Sequence, residues 1–338
     1  MYILKRNKSK SICLVLGLTV LVLCACFSMC MGASGLSFVR INQVLHGEPL
    51  TAVEISILLH IRLPRILAAC LCGAALAVSG LLLQSALGNA LASPGTIGVN
   101  SGAGFAVVCS AALLPALPFG KVPFAFVGAL VTALTIYAIA GKTGGSRIAI
   151  VLAGVAVSSL FSAGSDAIIT LFPDSVADRT AFSIGGFGNI TLSSVKMIVP
   201  FVAVGIIGSF LLAPYMNLLS LGDEIASSLG INVKACRFIA IVLASLLAAS
   251  AVSIAGLLGF IGLLAPHMVR MLSGHDARWQ IPFSALGGAI LLLLCDTIAR
   301  TAFAPYELPV GIVLSFLGAP FFLYLLFNRK KGDLHDSV

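Results

Sequence analysis

The sequence predicts an all-α membrane protein with about ten spanning helices, one of them short and broken. Three observations carry that prediction. First, 59% of the 338 residues are hydrophobic and only 9% are charged, with a mean hydropathy of +1.11, whereas a soluble domain carries roughly 25% charged residues. Second, the chain repeatedly supplies apolar runs close to the length of about 20 residues that one crossing requires. Third, basic residues gather at the two ends, at Lys5, Arg6, Lys8 and Lys10 and at Arg329, Lys330 and Lys331. Cations mark the cytoplasmic side, so both termini read as cytoplasmic and the number of crossings is even. The net charge of +8 follows this pattern and is no nucleic-acid signal.

The first span is read at about residues 12–32. Its basic flank and long apolar run resemble an uncleaved signal anchor. Leu23-Cys24-Ala25-Cys26 has a faint look of a lipoprotein cleavage box, but a spanning helix suits the embedded chain that follows. Residues of about 36–60 are mixed, with Arg40, His46, Glu48, Glu54 and His60, and read as an outer loop with an interfacial helix. Further spans fall at about 63–86, 96–116, 122–140, 148–172 and 194–214. A polar cytoplasmic segment occupies about 215–234, and spans follow at about 235–255, 281–303 and 308–327. The broken crossing lies between the first two of these. The membrane bundle thus covers about 12–327 of a single domain, 1–338. This topology puts thirteen Lys and Arg inside and seven outside: Arg40, Arg62, Arg65, Lys121, Arg179, Lys196 and Arg300.

The broken crossing, Ala255 to Arg270, is apolar yet holds Gly256, Gly259, Gly262 and Pro266 and ends with His267 and Arg270. Such backbone persists at membrane depth only where protein or a watery cavity satisfies the freed polar groups. Interrupted helices of this kind mark moving or substrate-facing parts of transporters. Glycines at close-packing spacing (Gly73 and Gly80, Gly98 with Gly102 and Gly104, Gly287 with Gly288) suit tightly crossing helices. An echo between Ser79–Gly95 and Ala255–His267 suggests an internal repeat.

Chemistry is sparse. Gly141-Lys142-Thr143 imitates the tail of a phosphate-binding loop, but position 136, where that loop needs its first glycine, is Ile. Any ATP chemistry therefore belongs to another chain. The nine cysteines lie in apolar runs, without metal or redox spacing, and read as packing residues. His267 lacks a second ligand at helical spacing, so no metal site is assigned, and no nucleophile–base pair supports catalysis. Asp166 and Asp296 are costly intramembrane charges. No relay of Asp, Glu and His runs through the spans, which disfavours a proton-coupled transporter.

Two polar features remain. In Leu218–Val233, Gly222, Asp223 and Glu224 suit a helix start and Gly230 its end. Ala226 and Leu229 are three apart and are expected to share a face. The segment reads as a solvated loop or as a short cytoplasmic helix that docks on a partner. Arg62 and Arg65, just before a span, and Arg300, at the outer end of another, oppose the charge rule. They read as snorkelling side chains, as a local pair with Asp296 (four residues before Arg300) or Glu307, or as an electropositive outer face that receives an acidic partner.

These features together resemble the permease family of ABC importers for iron–siderophore complexes, haem and vitamin B12, the FecCD type. The resemblance is carried by R-L-P-R at Arg62–Arg65, G-A-A-L-A-V-S-G-L-L-L-Q at Gly73–Gln84 and N-A-L-A-S-P-G-T-I-G at Asn89–Gly98. It continues in L-G-D-E-I-A-S-S-L-G at Leu221–Gly230, G-F-I-G-L-L-A-P-H-M-V-R at Gly259–Arg270, Glu307–Gly311 and Gly318–Phe322. Two positions depart from it: Ala90 stands where the family usually has Pro, and Phe182 where it often has Trp. The resemblance implies a ten-helix permease of a type II ABC importer in the bacterial cytoplasmic membrane, dimerising with itself or a related chain. Two ATPase subunits, which bind ATP and Mg, and an extracytoplasmic binding protein are the implied partners, with no cofactor on this chain. It also implies that Arg62, Arg65 and Arg300 meet acidic residues of the binding protein, and that Gly222–Gly230 is the coupling helix on the ATPase. The competing reading is a secondary transporter or channel that works alone.

Overall fold

The computed structural model describes residues 2–31, 46, 51–114, 122–142, 147–172, 179–188 and 190–332. Within them the chain is helical: α1 (Tyr2–Cys30), α2 (Ala52–Ile57), α3 (Leu63–Leu87), α4 (Val99–Leu113), α5 (Val122–Lys142), α6 (Arg147–Leu171) and α7 (Arg179–Ile184). Then come α8 (Leu192–Leu219), α9 (Asp223–Ser228), α10 (Val233–Ala255), α11 (Ile261–Ser273), α12 (Ala277–Thr301) and α13 (Val310–Gly332). Six segments are long and apolar enough to cross a bilayer: Lys10–Cys30, Ala52–Leu87, Val151–Leu171, Leu192–Leu219, Val233–Ala255 and Ala277–Thr301. Shorter apolar helices lie at Val99–Leu113, Pro123–Ile139 and Val310–Tyr324. With α11, these fill the ten positions that hydropathy marks. Arg40, Glu48 and Lys121 lie outside the described residues.

One boundary differs from expectation. Arg62 and Arg65 do not stand just before a helix but inside one, which runs without interruption from Ala52 to Leu87. Thr51 and Glu54 start it with a reciprocal capping box. Pro64 has no N–H to give, which is tolerated in a first turn but would ordinarily disturb the interior of a continuous helix. A π-helical turn at Leu58–Arg62, in which Leu63 N–H reaches back to Leu58 O, carries the helix across this point.

Helix α3 is the axis of the bundle and packs against α8, α10, α11 and α12. Its small residues permit that crowding. A Cβ on Gly80 would collide with the backbone of Gly262 on α11, and Gly73 and Gly288 meet backbone to backbone where α3 crosses α12. The two echoing sequence segments thus touch each other at Gly80 and Gly262. Gly104 and Gly287 show only ordinary contacts and carry no such crossing. Helices α4, α5 and α6 pack together beside α10, and α1 lies outermost on α12. The spanning window of α1 is only 6% buried, against 78% for the segment containing α3. Its apolar side chains therefore lie mostly outside the core of this chain.

Arg65 and Ala86 mark the two ends of α3, roughly 30 Å apart at about 1.5 Å per residue, close to the thickness of the hydrocarbon layer. An arginine cluster and the short helix α9 lie at these two ends.

Candidate functional site

At the first end, Arg62, Arg65 and Arg300 converge, and all three are buried. The Arg65 guanidinium clasps Asp296, with Nε donating to Oδ1 and Oδ2 at 3.0 and 3.1 Å and Nη2 lying 3.0 Å from Oδ1. Its Nη1 donates to Glu307 Oε2 at 2.7 Å. Arg300, one turn beyond Asp296, approaches Oδ2 at 3.3 Å through Nε. That contact is an ion pair rather than an aligned hydrogen bond, since Arg300 Nε has no hydrogen-bond acceptor.

The C-terminus of α1 supplies further acceptors. Arg300 donates to Ser28 Oγ at 2.6 Å, Ser28 O at 3.2 Å and Met31 O at 3.3 Å, and Arg62 donates to Met29 O at 2.5 Å. Terminal helix carbonyls lack partners within the helix and carry partial negative charge. Among the described residues, two carboxylates and the end of α1 thus face these buried cations. The expected pairing of Asp296 with Arg300 is present, but Glu307 pairs with Arg65. Of this cluster, Arg65 and Glu307 line the nearby cavity of about 330 Å³.

At the opposite end, α9 is a single short helix. Gly222, at φ +105°, precedes it. Gly230, at φ +83°, closes it in a Schellman turn: Gly230 N–H donates to Ser227 O at 2.9 Å and Ile231 N–H to Ala226 O at 3.2 Å. Ala226 is buried, whereas Ile225 and Leu229 are 51% and 57% exposed. Ala226 and Leu229 therefore do not share a face. The helix ends at Ser228, and Leu229 has already left helical geometry as its C-cap, with ψ 8°. Glu224 is exposed, and Asp223 turns back to Arg237, as described below.

The broken crossing divides into parts with different surroundings. The chain leaves helix between Gly256 and Phe260, so the break precedes Pro266, which lies inside α11. Neighbouring backbone satisfies the freed groups: Leu257 N–H donates to Phe182 O at 2.9 Å, and Ala255 O accepts from Gly186 N–H at 2.8 Å. Gly311 N–H, at the start of α13, donates to Gly185 O at 3.2 Å, so the break, the end of α7 and α13 are tied together. Gly256 lines the smaller cavity beside Arg65. Gly259 lines a larger one of about 700 Å³ with Asn100, Ser183, Leu257, Ser315 and Phe316. Gly262 faces α3. Its carbonyl loses the helix donor that Pro266 lacks, and Gln84 Nε2 replaces it at 2.9 Å. His267 meets Phe321 edge-on, ring centroids 6.0 Å apart. Arg270 stands in the last turn of α11, where a cation suits the helix dipole. Among the described residues, no group of three or more His, Cys, Asp or Glu could hold a metal ion.

Sequence reasoning missed Gln84, Arg237 and Ser28 as members of these networks. Gln84 and Arg237 had a signal, being polar side chains inside or beside apolar runs. Ser28 had none, since serine is unremarkable in a spanning helix.

Spanning helices crossing at glycines, with an interrupted helix beside a cavity between two polar ends, define a polytopic transport subunit. The profile of the FecCD transport family matches residues 20–328, and the chain belongs to that family. It is 37% identical over 328 residues to the Fe(3+)-citrate import system permease protein YfmD of Bacillus subtilis, covering 97% of each chain. It is also 37% identical over 324 residues to the hemin transport system permease protein HmuU of Yersinia pestis, covering 93% of this chain and 95% of that one. A solved ABC transporter of the metal-chelate type, in an inward-facing conformation, aligns with a TM-score of 0.84 at 28% identity, covering 93% of this chain and 98% of that one. The protein is a permease subunit of the ABC importer class.

Proposed function

We propose that this permease moves an iron–siderophore complex across the bacterial cytoplasmic membrane, with haem or cobalamin as the alternative cargo of the same class. The chain acts as one membrane domain with both termini in the cytoplasm, paired with a second permease. A binding protein delivers cargo outside, and two ATPase subunits, which carry the ATP and Mg, drive the cycle from inside. In this reading α9, from Gly222 to Gly230, seats on the ATPase through Ile225, Leu229 and Glu224. Arg62, Arg65 and Arg300 form the docking end. Arg65 is the member that an incoming carboxylate reaches, through the cavity it shares with Glu307. Gly256 and Gly259 belong to the pathway wall, and Gly262, Pro266, His267 and Arg270 brace it.

One observation carries the reading: the apolar side chains of α9 stand exposed at the opposite end of the central helix from the arginine cluster. A short helix that buries Ala226 yet presents Ile225 and Leu229 suits a partner outside the membrane. ATP closure at α9 and binding-protein release at the arginines would then favour different conformations of one bundle. The test is reconstitution in proteoliposomes with the ATPase and binding protein encoded beside this chain. Uptake of radiolabelled ferric siderophore should require both partners and ATP. Uptake that persists with a catalytically dead ATPase would identify a transporter that works alone.

A further inference from the structure

We propose that Arg237 is a positioning residue that ties α9 to the cytoplasmic end of α3, so that displacement of α9 moves the central helix. The inference rests on the reading of α9 as the ATPase-docking helix. Arg237 lies in the second turn of α10, which Asn232 caps by accepting from Ala235 N–H at 3.0 Å. The Schellman turn at Gly230 reverses the chain, which returns Asp223 to the side chain of Arg237. Nη2 of Arg237 donates to both Asp223 carboxylate oxygens, at 2.9 and 2.8 Å. Its Nε donates to Ala86 O at 2.8 Å, in the last turn of α3. The arginine side chain is only 8% exposed, whereas that of Asp223 is 44% exposed.

One planar guanidinium thus holds the first residue of α9 with one edge and a terminal carbonyl of α3 with another. Lysine, a point charge on a flexible stem, has no fixed fork with which to hold both. The same end of α3 reaches the interrupted crossing, because Gln84 binds Gly262 O on α11. Two short polar links therefore connect the helix that meets the ATPase, the axis of the bundle and the segment beside the cavities. Packed elements joined in this way move together.

The experiment compares wild type, Arg237→Lys and Arg237→Gln in proteoliposomes with the ATPase and binding protein. Cargo transported per ATP hydrolysed is measured, together with ATPase co-purification. Arg237→Gln is expected to retain the ATPase and its hydrolysis while transport per ATP falls about tenfold, the scale of one charge-assisted hydrogen bond. Arg237→Lys should recover part of the loss. A defect confined to folding would instead lower the yield and leave the ratio unchanged in the surviving complexes. If Arg237→Gln does not fold, Asp223→Asn removes the ion pair from its exposed side, keeps the bond to Ala86 O and should lower the same ratio. An unchanged ratio in either assembled variant overturns the inference. A photoreactive benzophenone side chain placed at Ile225 separates the two failures. Without cross-linking to the ATPase, the docking reading of α9 is wrong; with cross-linking and an unchanged ratio, only the role of Arg237 is wrong.

Discussion

Replacing Asp296 by Ala should destabilise the permease far more than replacing Glu307 by Gln, although both carboxylates hold the same arginine. Asp296 is fully buried, takes three contacts from Arg65 at 3.0–3.1 Å and faces Arg300 at 3.3 Å. Removing it leaves two buried guanidinium groups near each other, with the half-exposed Glu307 on Arg65 as the one carboxylate left in the cluster among the described residues. Breaking a buried pair in this way costs about 3–5 kcal/mol. The Glu307 side chain is 44% exposed, and a pair open to solvent on one side contributes about 0–1 kcal/mol. The difference is therefore at least about 2 kcal/mol in favour of Asp296. Thermal unfolding in detergent, followed with a thiol-reactive dye, measures it, because Cys72 and Cys295 are buried and react only as the bundle opens. The double variant Asp296→Leu with Arg65→Met should recover part of the loss, since it removes one of the two guanidinium groups that lose this carboxylate and leaves Arg300 as the other. Equal midpoints for Asp296→Ala and Glu307→Gln would refute the reasoning and show that the cluster is solvated.

Two further outcomes follow from the packing and from α9. Gly80→Ala should lower the unfolding midpoint sharply, because its Cβ would meet the Gly262 backbone, whereas Gly259→Ala should be tolerated with no heavy atom within 4 Å; the same dye assay reads both. Ile225→Asp combined with Leu229→Asp should leave the bundle folded, as both side chains are exposed, yet abolish co-purification of the ATPase in a pull-down.

The positions of the ten helices were legible because lipid imposes a local demand: about 20 apolar residues for each crossing. That demand is met within each segment and needs no knowledge of its neighbours. The partnerships were not legible. Asp296 stood out as a costly charge, and its neighbour Arg300 was found one turn away. Its principal partner, Arg65, is 231 residues distant, and Gln84 is 178 residues from the carbonyl it satisfies. No periodicity connects such positions. The glycines show the same division: their spacing announced close crossings, but only the fold matches Gly73 to Gly288 and Gly80 to Gly262. The expected pairing of Ala226 with Leu229 on one face failed for a different reason. Helical spacing assumes a helix long enough to contain both residues, and α9 ends between them.

The long-range partnerships bear on how a transport subunit can hold polar groups at membrane depth and still move. Pro266 and the break at Gly256–Phe260 free backbone groups that would be prohibitive in lipid. Among the described residues the replacements come from outside the crossing: Gln84 of α3 for Gly262 O, Phe182 of α7 for Leu257 N–H, and Gly186 just beyond α7 for Ala255 O. The interruption is therefore stable only while α3, α7 and α11 keep their present relation. A bundle built this way cannot bend continuously, because each bond is satisfied in a defined arrangement and costly between arrangements. Alternating access then becomes an exchange of one satisfied set of polar links for another. The links at Arg65, Gln84 and Arg237 are the ones such an exchange has to break or carry along.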